Sequence, residues 1–189
     1  MGQRMFVALV PPDDVLEHLD EFLAVRREAA PFRWSLAEHL HVTLAFMASV
    51  PERRHDDLVE LLGRAVARRT PFATQVRGGG AFPDAARARV LYAGLSLSEG
   101  ERQELERLAA GTRNAASTAG TQIDGQSFHP HVTVARLGRP TEVTRWVQLL
   151  DGYEGPPWQV AEVSLVASHL GEGPRKRPRY EVVDTFPLG

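Results

Sequence analysis

Cysteine is absent from the sequence, and lysine occurs only once, as Lys176. The absence of cysteine excludes disulfide bonds, thiolate metal ligands and cysteine nucleophiles. No apolar run approaches the roughly 18 residues that a membrane-spanning helix needs. The net charge of -2 gives the chain no overall attraction for polyanions, so nucleic-acid binding would require a local basic patch.

The chain has 189 residues, and 43% of them are hydrophobic, which is enough to build the core of one domain. Acidic residues follow the N-terminal apolar run too early for a secretory signal peptide. We therefore expect a soluble, cytoplasmic protein with a single domain over residues 1–189, and we expect it to be a monomer. Arginine recurs in every segment, so its abundance alone does not indicate phosphate binding.

One seven-residue motif occurs twice in the chain. HLHVTLA, residues 39–45, returns ninety positions later as HPHVTVA, residues 129–135, with five of the seven letters unchanged. We call these two segments the histidine motifs. Around each of them the pattern predicts the same order of elements, which is strand, helix, histidine strand, helix and strand. The sequence therefore predicts a duplicated plan with halves of roughly 1–80 and 87–189.

The predicted elements are short strands and amphipathic helices, and no linker of different composition separates the halves. RMFVALV (4–10) and RVLYAGLSL (89–97) are apolar runs typical of strands, and Ser98 with Glu101 predicts a capping box at the start of a helix. The run Gly78–Gly80 lacks the spacing of a phosphate-binding loop and indicates a turn or a bulge. We predict an α+β fold of two pseudo-symmetric lobes, with antiparallel sheets and helices on their outer faces.

Alternation along a strand assigns the residues of the histidine motifs to two faces. The polar face carries histidine, histidine and threonine in both copies: His39, His41, Thr43, His129, His131 and Thr133. The other face carries the apolar residues, which we expect in the core: Leu40, Val42, Leu44, Phe46, Val132 and Val134.

Two such rows can face each other across a groove if the halves are related by a pseudo-twofold axis. Displacement at phosphorus needs a base for the attacking oxygen and an acid for the leaving oxygen, and histidine can serve as either near neutral pH. A threonine on the same face can donate a hydrogen bond to a non-bridging phosphate oxygen. One such strand is typical of a solvated surface, whereas two at matching places indicate a site.

The segments His41-Val42-Thr43-Leu44 and His131-Val132-Thr133-Val134 resemble the paired HxTx motifs of the two-histidine (2H) phosphoesterases. Their setting between RMFVALV, GGGAFP, RVLYAG and the final RYEVV resembles the LigT-like (ThpR-type) RNA 2′,3′-cyclic phosphodiesterases. The resemblance covers essentially the whole chain. It implies a bilobal fold with a cleft between the lobes, and opening of 2′,3′-cyclic phosphate ends to 2′-phosphates without a metal or a cofactor.

The same resemblance implies a role for four residues. His41 would be the proton donor to the leaving oxygen, and His131 would be the proton acceptor that activates water. Thr43 and Thr133 would hold the phosphate. The expected partner is RNA with a 2′,3′-cyclic phosphate end, or a cyclic nucleotide, and no membrane.

Six further residues are candidates for contacts with the substrate: His39, His129, Arg136, Arg175, Lys176 and Arg177. The last three lie in PRKRPRY (174–180), which is the one concentrated basic stretch and could grip the RNA backbone. Simple alternation places Arg136 on the face opposite His131, so a β-bulge or a strand end is needed to bring it to the phosphate.

Three alternatives remain open from the sequence. The same site could join RNA ends as a 2′-5′ RNA ligase, with an RNA 5′-hydroxyl in place of water. Four histidines in two HxH pairs could instead hold zinc, although no carboxylate lies within either motif. The third alternative is a nucleotide- or RNA-binding module without turnover.

Overall fold

The computed structural model describes residues 2–189 and contains nine strands and four α-helices in that part of the chain. The strands are β1 (Gln3–Leu9), β2 (Arg33–Trp34), β3 (Val42–Val50), β4 (Phe72–Phe82), β5 (Ala88–Ser96), β6 (Val132–Thr141), β7 (Glu154–Val160), β8 (Glu162–His169) and β9 (Arg179–Pro187). The helices are α1 (Asp13–Ala24), α2 (His55–Val66), α3 (Glu99–Thr118) and α4 (Thr144–Asp151).

The strands form one antiparallel sheet in the order β7-β4-β5-β6-β3-β1-β8-β9, and β2 adds to β6. At the centre, β3 and β6 are joined by a single residue pair, Val42 with Val132. Beyond that pair the two strands diverge, and β2 takes the free edge of β6. The sheet thus consists of two four-stranded flanks that meet at one point: a first flank of β3, β1, β8 and β9, and a second flank of β6, β5, β4 and β7.

The helices cover one face of this sheet and bury its apolar side chains. Helices α2 and α3 pack against each other and against the first flank, whereas α1 and α4 contact β7 and β4 of the second flank. Ser98 and Glu101 form the predicted capping box at the start of α3. None of the helices within residues 2–189 combines the length and the apolar character needed to span a bilayer. The predicted α+β class, with antiparallel strands and outer helices, is confirmed.

Each flank draws strands from both halves of the sequence. Strand β4 precedes residue 87 but lies beside β5, and β8 follows residue 87 but lies beside β1. Equivalent positions in the sheet are therefore filled by exchanged strands. The division into halves of roughly 1–80 and 87–189 stays a prediction about the sequence.

A β-bulge interrupts the alternation in each histidine strand at the same place. In β3, Thr43 pairs with Ala8 and Ala45 with Val7, so Leu44 is the extra residue. Both Leu44 and Ala45 are buried, and the next residue, Phe46, then faces the opposite side from Leu44. The prediction that Phe46 lies in the core with Leu44 is wrong, because the bulge reverses the alternation after it.

The bulge in β6 has the same form. Thr133 pairs with Tyr92 and Ala135 with Leu91, which leaves Val134 as the extra residue. Val134 and Ala135 are both buried, and Arg136 therefore turns to the face that carries His131 and Thr133. The sequence predicted that Arg136 could reach the face of His131 only through a β-bulge or a strand end, and the structure contains the bulge.

Of the turn or bulge predicted at Gly78–Gly80, the bulge is present and the turn is not, because these residues lie inside β4. Gly79 pairs with Ala93 and Gly80 with Tyr92. The bulge lies between Val76 and Gly79, where the register of β4 with β5 shifts. A Cβ atom on Gly80 would lie 2.2 Å from the Tyr92 hydroxyl oxygen. Glycine at position 80 therefore allows the Tyr92 side chain to lie directly across the neighbouring strand.

The bulge in β6 can be tested by introducing aspartate at two successive positions. Ala135 is fully buried, so Ala135→Asp should lower the free energy of unfolding by about 3 to 5 kcal/mol, because a short charged side chain would be buried without a partner. Arg136→Asp, on the open face, should change it by about 0.5 kcal/mol or less. Urea unfolding measures both, and the reverse order would mean that the strand alternates without a bulge.

Candidate active site

The two histidine motifs meet at the centre of the sheet. His41 and His131 directly precede Val42 and Val132, the one pair that joins β3 to β6. The face of the sheet opposite the helices opens here into a cleft of about 380 Å³. The cleft is lined by both sets of predicted catalytic and phosphate-binding side chains: His41, Thr43, His131 and Thr133. In the antiparallel register set by the Val42–Val132 pair, His41 lies on the side of Thr133, and His131 lies on the side of Thr43.

Each of the two imidazoles is oriented by the carbonyl group two residues earlier. Nδ1 of His41 donates to the carbonyl oxygen of His39 at 2.7 Å, and Nδ1 of His131 donates to that of His129 at the same distance. A carbonyl oxygen only accepts, so Nδ1 carries the proton in both rings. In the neutral rings Nε2 is therefore the free basic nitrogen.

The two Nε2 atoms differ in their surroundings. Nε2 of His41 lies 2.9 Å from the Thr43 hydroxyl, which donates to the neutral ring. His131 makes no comparable side-chain hydrogen bond with Thr133 within the described residues. The hydroxyl of Ser35 instead donates to the main-chain carbonyl of Thr133 at 2.8 Å, which holds the bulged strand of the second copy.

Aromatic rings enclose both imidazoles. The His41 ring stacks on Phe6 with centroids 4.6 Å apart, and Tyr180 packs edge-on at 5.7 Å. The His131 ring packs against Phe82 at 4.9 Å and Tyr92 at 5.4 Å. These contacts restrict the rotation of each ring, so the carbonyl hydrogen bond and the aromatic packing fix the same orientation.

The same burial keeps both imidazoles neutral in the free protein. Burial lowers the pKa of His41 from 6.5 to about 4, and the nearby charges of His131 and Arg136 act in the same direction. Burial also lowers the pKa of His131, and Arg136 again adds to the effect. An anion in the cleft would oppose these shifts, because it favours the protonated form of a neighbouring histidine.

The remaining predicted contacts divide into those that line the cleft and those that do not. Arg136 and Arg177 line it, as does His39, whose ring packs against Tyr180 at 4.6 Å. His129 is exposed at the edge, with Nε2 3.2 Å from the Tyr92 hydroxyl. Arg175 and Lys176 do not line the cleft: both are exposed, in a turn where their φ angles are 56° and 59°.

Several cleft residues were missed by the sequence analysis. Arg33 lies in the two-residue strand β2, which carries no periodic signal, and its place opposite Arg136 depends on tertiary pairing. Tyr180 reaches the cleft from β9, at the far end of the chain. Phe6 could have been found, because alternation along RMFVALV places it on the face opposite Met5 and Val7.

The four histidines of the motifs do not form a metal site. Across residues 2–189, side chains of histidine, aspartate and glutamate nowhere gather in groups of three that could hold an ion. Both Nδ1 atoms of the central pair are engaged by carbonyl oxygens, and no carboxylate side chain of the described residues lines the cleft. The donor set therefore fits acid/base chemistry better than zinc coordination.

Comparison with known proteins agrees with this geometry. The family model of the 2′-5′ RNA ligase superfamily matches residues 11–172. The chain belongs to the 2′-5′ RNA ligase superfamily. The match spans both histidine motifs, whereas five residues that line the cleft lie outside it: Arg4, Phe6, Arg177, Pro178 and Tyr180.

Relatives of this superfamily cover nearly the full length. An RNA 2′,3′-cyclic phosphodiesterase of Thermus thermophilus is 33% identical over 98% of this chain and 90% of its own. One of Aeropyrum pernix is 31% identical over 84% of this chain and 90% of its own. The crystal structure of E. coli LigT complexed with 3′-AMP superposes with a TM-score of 0.79 at 27% identity, covering 100% of this chain and 99% of that one. The protein therefore has the LigT-like fold that its motifs predicted.

The low pKa of His41 predicts a specific loss of stability in acid. The unfolded chain binds a proton at this histidine below pH 6.5, whereas the folded protein does so only near pH 4, so the folded state loses stability as the pH falls between these values. His41→Asn removes this loss. As the pH falls through that interval, the free energy of unfolding of the variant should therefore rise relative to that of wild type, by up to about 1.4 kcal/mol for each pH unit. Urea unfolding across this pH range measures it, and parallel curves would contradict the prediction.

Proposed function

We propose that the protein is an RNA 2′,3′-cyclic phosphodiesterase that hydrolyses cyclic phosphate ends to 2′-phosphates without a metal ion. The observation that carries the proposal is the meeting of two His-x-Thr strands at Val42 and Val132, which turns two imidazoles and two threonine hydroxyls toward one cleft. Membership of the superfamily supports it, and so do the names of the relatives in Thermus thermophilus and Aeropyrum pernix.

The reaction needs one proton acceptor and one proton donor on opposite sides of the phosphorus. Nε2 of His131 takes a proton from water as the water oxygen bonds to phosphorus. The bond from phosphorus to the 3′ oxygen breaks, and His41 gives a proton to that oxygen. The hydroxyls of Thr43 and Thr133 donate to the non-bridging oxygens and stabilise their growing charge.

His41 must gain a proton before it can act as the donor, since burial keeps it neutral in the free protein. The bound phosphate supplies the reason, because its negative charge beside Nε2 favours the imidazolium. The hydroxyl of Thr43 can then accept from Nε2 or rotate toward the phosphate. Substrate binding and activation of the acid are thus coupled in this scheme.

The same residues support the ligase reaction as a second candidate, with an RNA 5′-hydroxyl as the other partner. In ligation the 5′-hydroxyl replaces water: its oxygen bonds to phosphorus and loses its proton to the base, while the bond to the 3′ oxygen breaks and that oxygen takes a proton from the acid. The reaction therefore needs the same two histidines but also room for a second RNA chain. The cleft is open and lined with arginines, which favours polynucleotide binding in either case. The product formed with and without a 5′-hydroxyl RNA separates the two activities.

We also propose that the protein acts as a monomer in the cytoplasm. Both histidine motifs of the cleft come from one chain, so a complete site does not need a partner subunit. The proposed substrate, RNA, is made and processed inside the cell.

Replacing either central histidine should abolish most of the activity. His41→Ala and His131→Ala should each lower turnover of a nucleoside 2′,3′-cyclic phosphate by about 10²- to 10⁴-fold, the usual contribution of a positioned acid or base. Chromatographic separation of 2′- and 3′-phosphate products measures the rate and the position of cleavage together. His55→Ala, at the start of α2 and outside the cleft, is the matched control and should keep wild-type activity.

Wild-type turnover in either cleft variant would contradict the two-histidine mechanism. The same assay on protein treated with a strong chelator tests the zinc alternative. Full activity after treatment is the expected result. Activity that disappeared and returned with zinc would favour the metallohydrolase, and tight binding without any turnover would favour the binding module.

The dependence of kcat/KM on pH tests the two roles. We expect a bell-shaped dependence, with an acidic limb set by protonation of the base and an alkaline limb set by loss of the proton from the acid. Because burial lowers the pKa of both histidines below 6.5 in the free protein, the fraction with one ring protonated already decreases as the pH rises toward 6.5, and kcat/KM should fall with it. The bound phosphate raises these pKa values, so kcat should persist to higher pH. In the residual activity of His131→Ala the acidic limb should be absent. Loss of the alkaline limb instead would exchange the roles of His41 and His131.

A further inference from the structure

The cleft contains positive charge that no carboxylate neutralises. Arg33, Arg136 and Arg177 all line it, and within residues 2–189 none of the three forms an ion pair. Other arginines of the chain do pair with acids, such as Arg27 with Asp20 and Arg179 with Glu172. The chain has more acidic than basic residues, yet none of its described carboxylate side chains lines the cleft beside these arginines.

The fold brings these arginines together despite their mutual repulsion. Arg33 lies directly opposite Arg136 in the pairing of β2 with β6, and like charges at opposed positions destabilise a sheet. Arg177 donates a hydrogen bond to the carbonyl oxygen of Trp34, the residue after Arg33. Burial lowers the pKa of Arg177, and the charges of Arg33 and Arg175 lower it further. An anion between these guanidinium groups would remove the repulsion.

Arg136 is the member of this group that is near the reacting phosphate, since its charge acts on both His41 and His131. Arg33 and Arg177 lie further out: Arg136 follows Thr133 by three residues along β6, a backbone distance of at most about 10 Å, and Arg33 lies on the neighbouring strand opposite Arg136. A cyclic phosphate is the 3′ end of its RNA, so every further phosphate of the strand lies on the 5′ side. We propose that Arg33 and Arg177 form a second subsite, which binds the phosphate on the 5′ side of the terminal nucleoside.

This inference rests on the proposed function, and it selects two residues that lie 144 positions apart in the chain. Of the basic residues in the run 174–180, only Arg177 lines the cleft. Arg175 and Lys176 occupy exposed left-handed turn positions, and Arg179 is engaged by Glu172 and Glu181. The subsite would make the enzyme selective for RNA ends over nucleosides with a free 5′-hydroxyl.

Two substrates that differ in a single phosphate test the subsite. One is adenosine 2′,3′-cyclic phosphate with a free 5′-hydroxyl, and the other carries a 5′-phosphate. Wild-type kcat/KM should be about 10- to 100-fold higher for the second, since two arginines contribute charged hydrogen bonds to the added phosphate. Arg33→Gln and Arg177→Gln should each reduce this ratio toward one. The ratio should not change in Arg102→Gln, a control at an exposed position of α3.

Salt provides a second readout of the same contact. In wild type, KM of the 5′-phosphorylated substrate should rise more steeply with salt than KM of the other substrate, and the two slopes should become equal in the glutamine variants. A ratio near one in wild type would overturn the proposal. So would a ratio that stays at the wild-type value in both glutamine variants.

Failure of the subsite can be distinguished from failure of the proposed function. Calorimetry with adenosine 3′-phosphate and adenosine 3′,5′-bisphosphate measures the same preference without any reaction. If neither cyclic substrate is hydrolysed but the bisphosphate binds more tightly and loses that advantage in Arg33→Gln, the subsite stands and the proposed function is wrong. If both cyclic substrates are hydrolysed at the same rate and the two ligands bind equally, the function stands and the subsite is wrong.

Discussion

The single pair between Val42 and Val132 is the contact on which the cleft depends. Each flank of the sheet has its own strands and its own histidine motif, and within residues 2–189 this is the only pair by which β3 of one flank joins β6 of the other. If β3 and β6 paired along their full length, the sheet would close over the space that the divergence opens. If they did not pair at all, nothing would hold two imidazoles at one phosphate. One residue pair satisfies both conditions.

Each histidine motif brings its own means of orienting the imidazole. The residue two positions earlier supplies a carbonyl oxygen to Nδ1, at 2.7 Å in both copies, so the free basic nitrogen is Nε2. Phe6 and Tyr180 on one side, and Phe82 and Tyr92 on the other, restrict the rings further. The two surroundings are built from different parts of the chain, yet they produce the same tautomer, and both lower the pKa of the imidazole.

The bulges expose a difference between the residues that follow the two histidine motifs. The reversed alternation brings Phe46 to the open face in the first copy and Arg136 in the second. Phe46 packs with Phe6 and lies 4.5 Å from the Arg4 guanidinium carbon, whereas Arg136 contributes charge to the cleft. The pseudo-symmetry of the backbone is thus combined with a chemical difference between equivalent positions, an aromatic ring at residue 46 and a guanidinium group at residue 136.

The sequence by itself determined the fold class, the family, and the two strands that begin directly after His41 and His131. Those inferences were possible because alternation, helical periodicity and a repeated motif are local properties of the chain. Only the tertiary structure decided that Phe46 leaves the core, that Gly79 and Gly80 belong to a strand, and that Arg33 joins Arg136 and Arg177. Each of these depends on pairing between strands distant in sequence, where a bulge of one residue reverses every side chain after it. Periodicity within one segment does not record which strand will lie beside it.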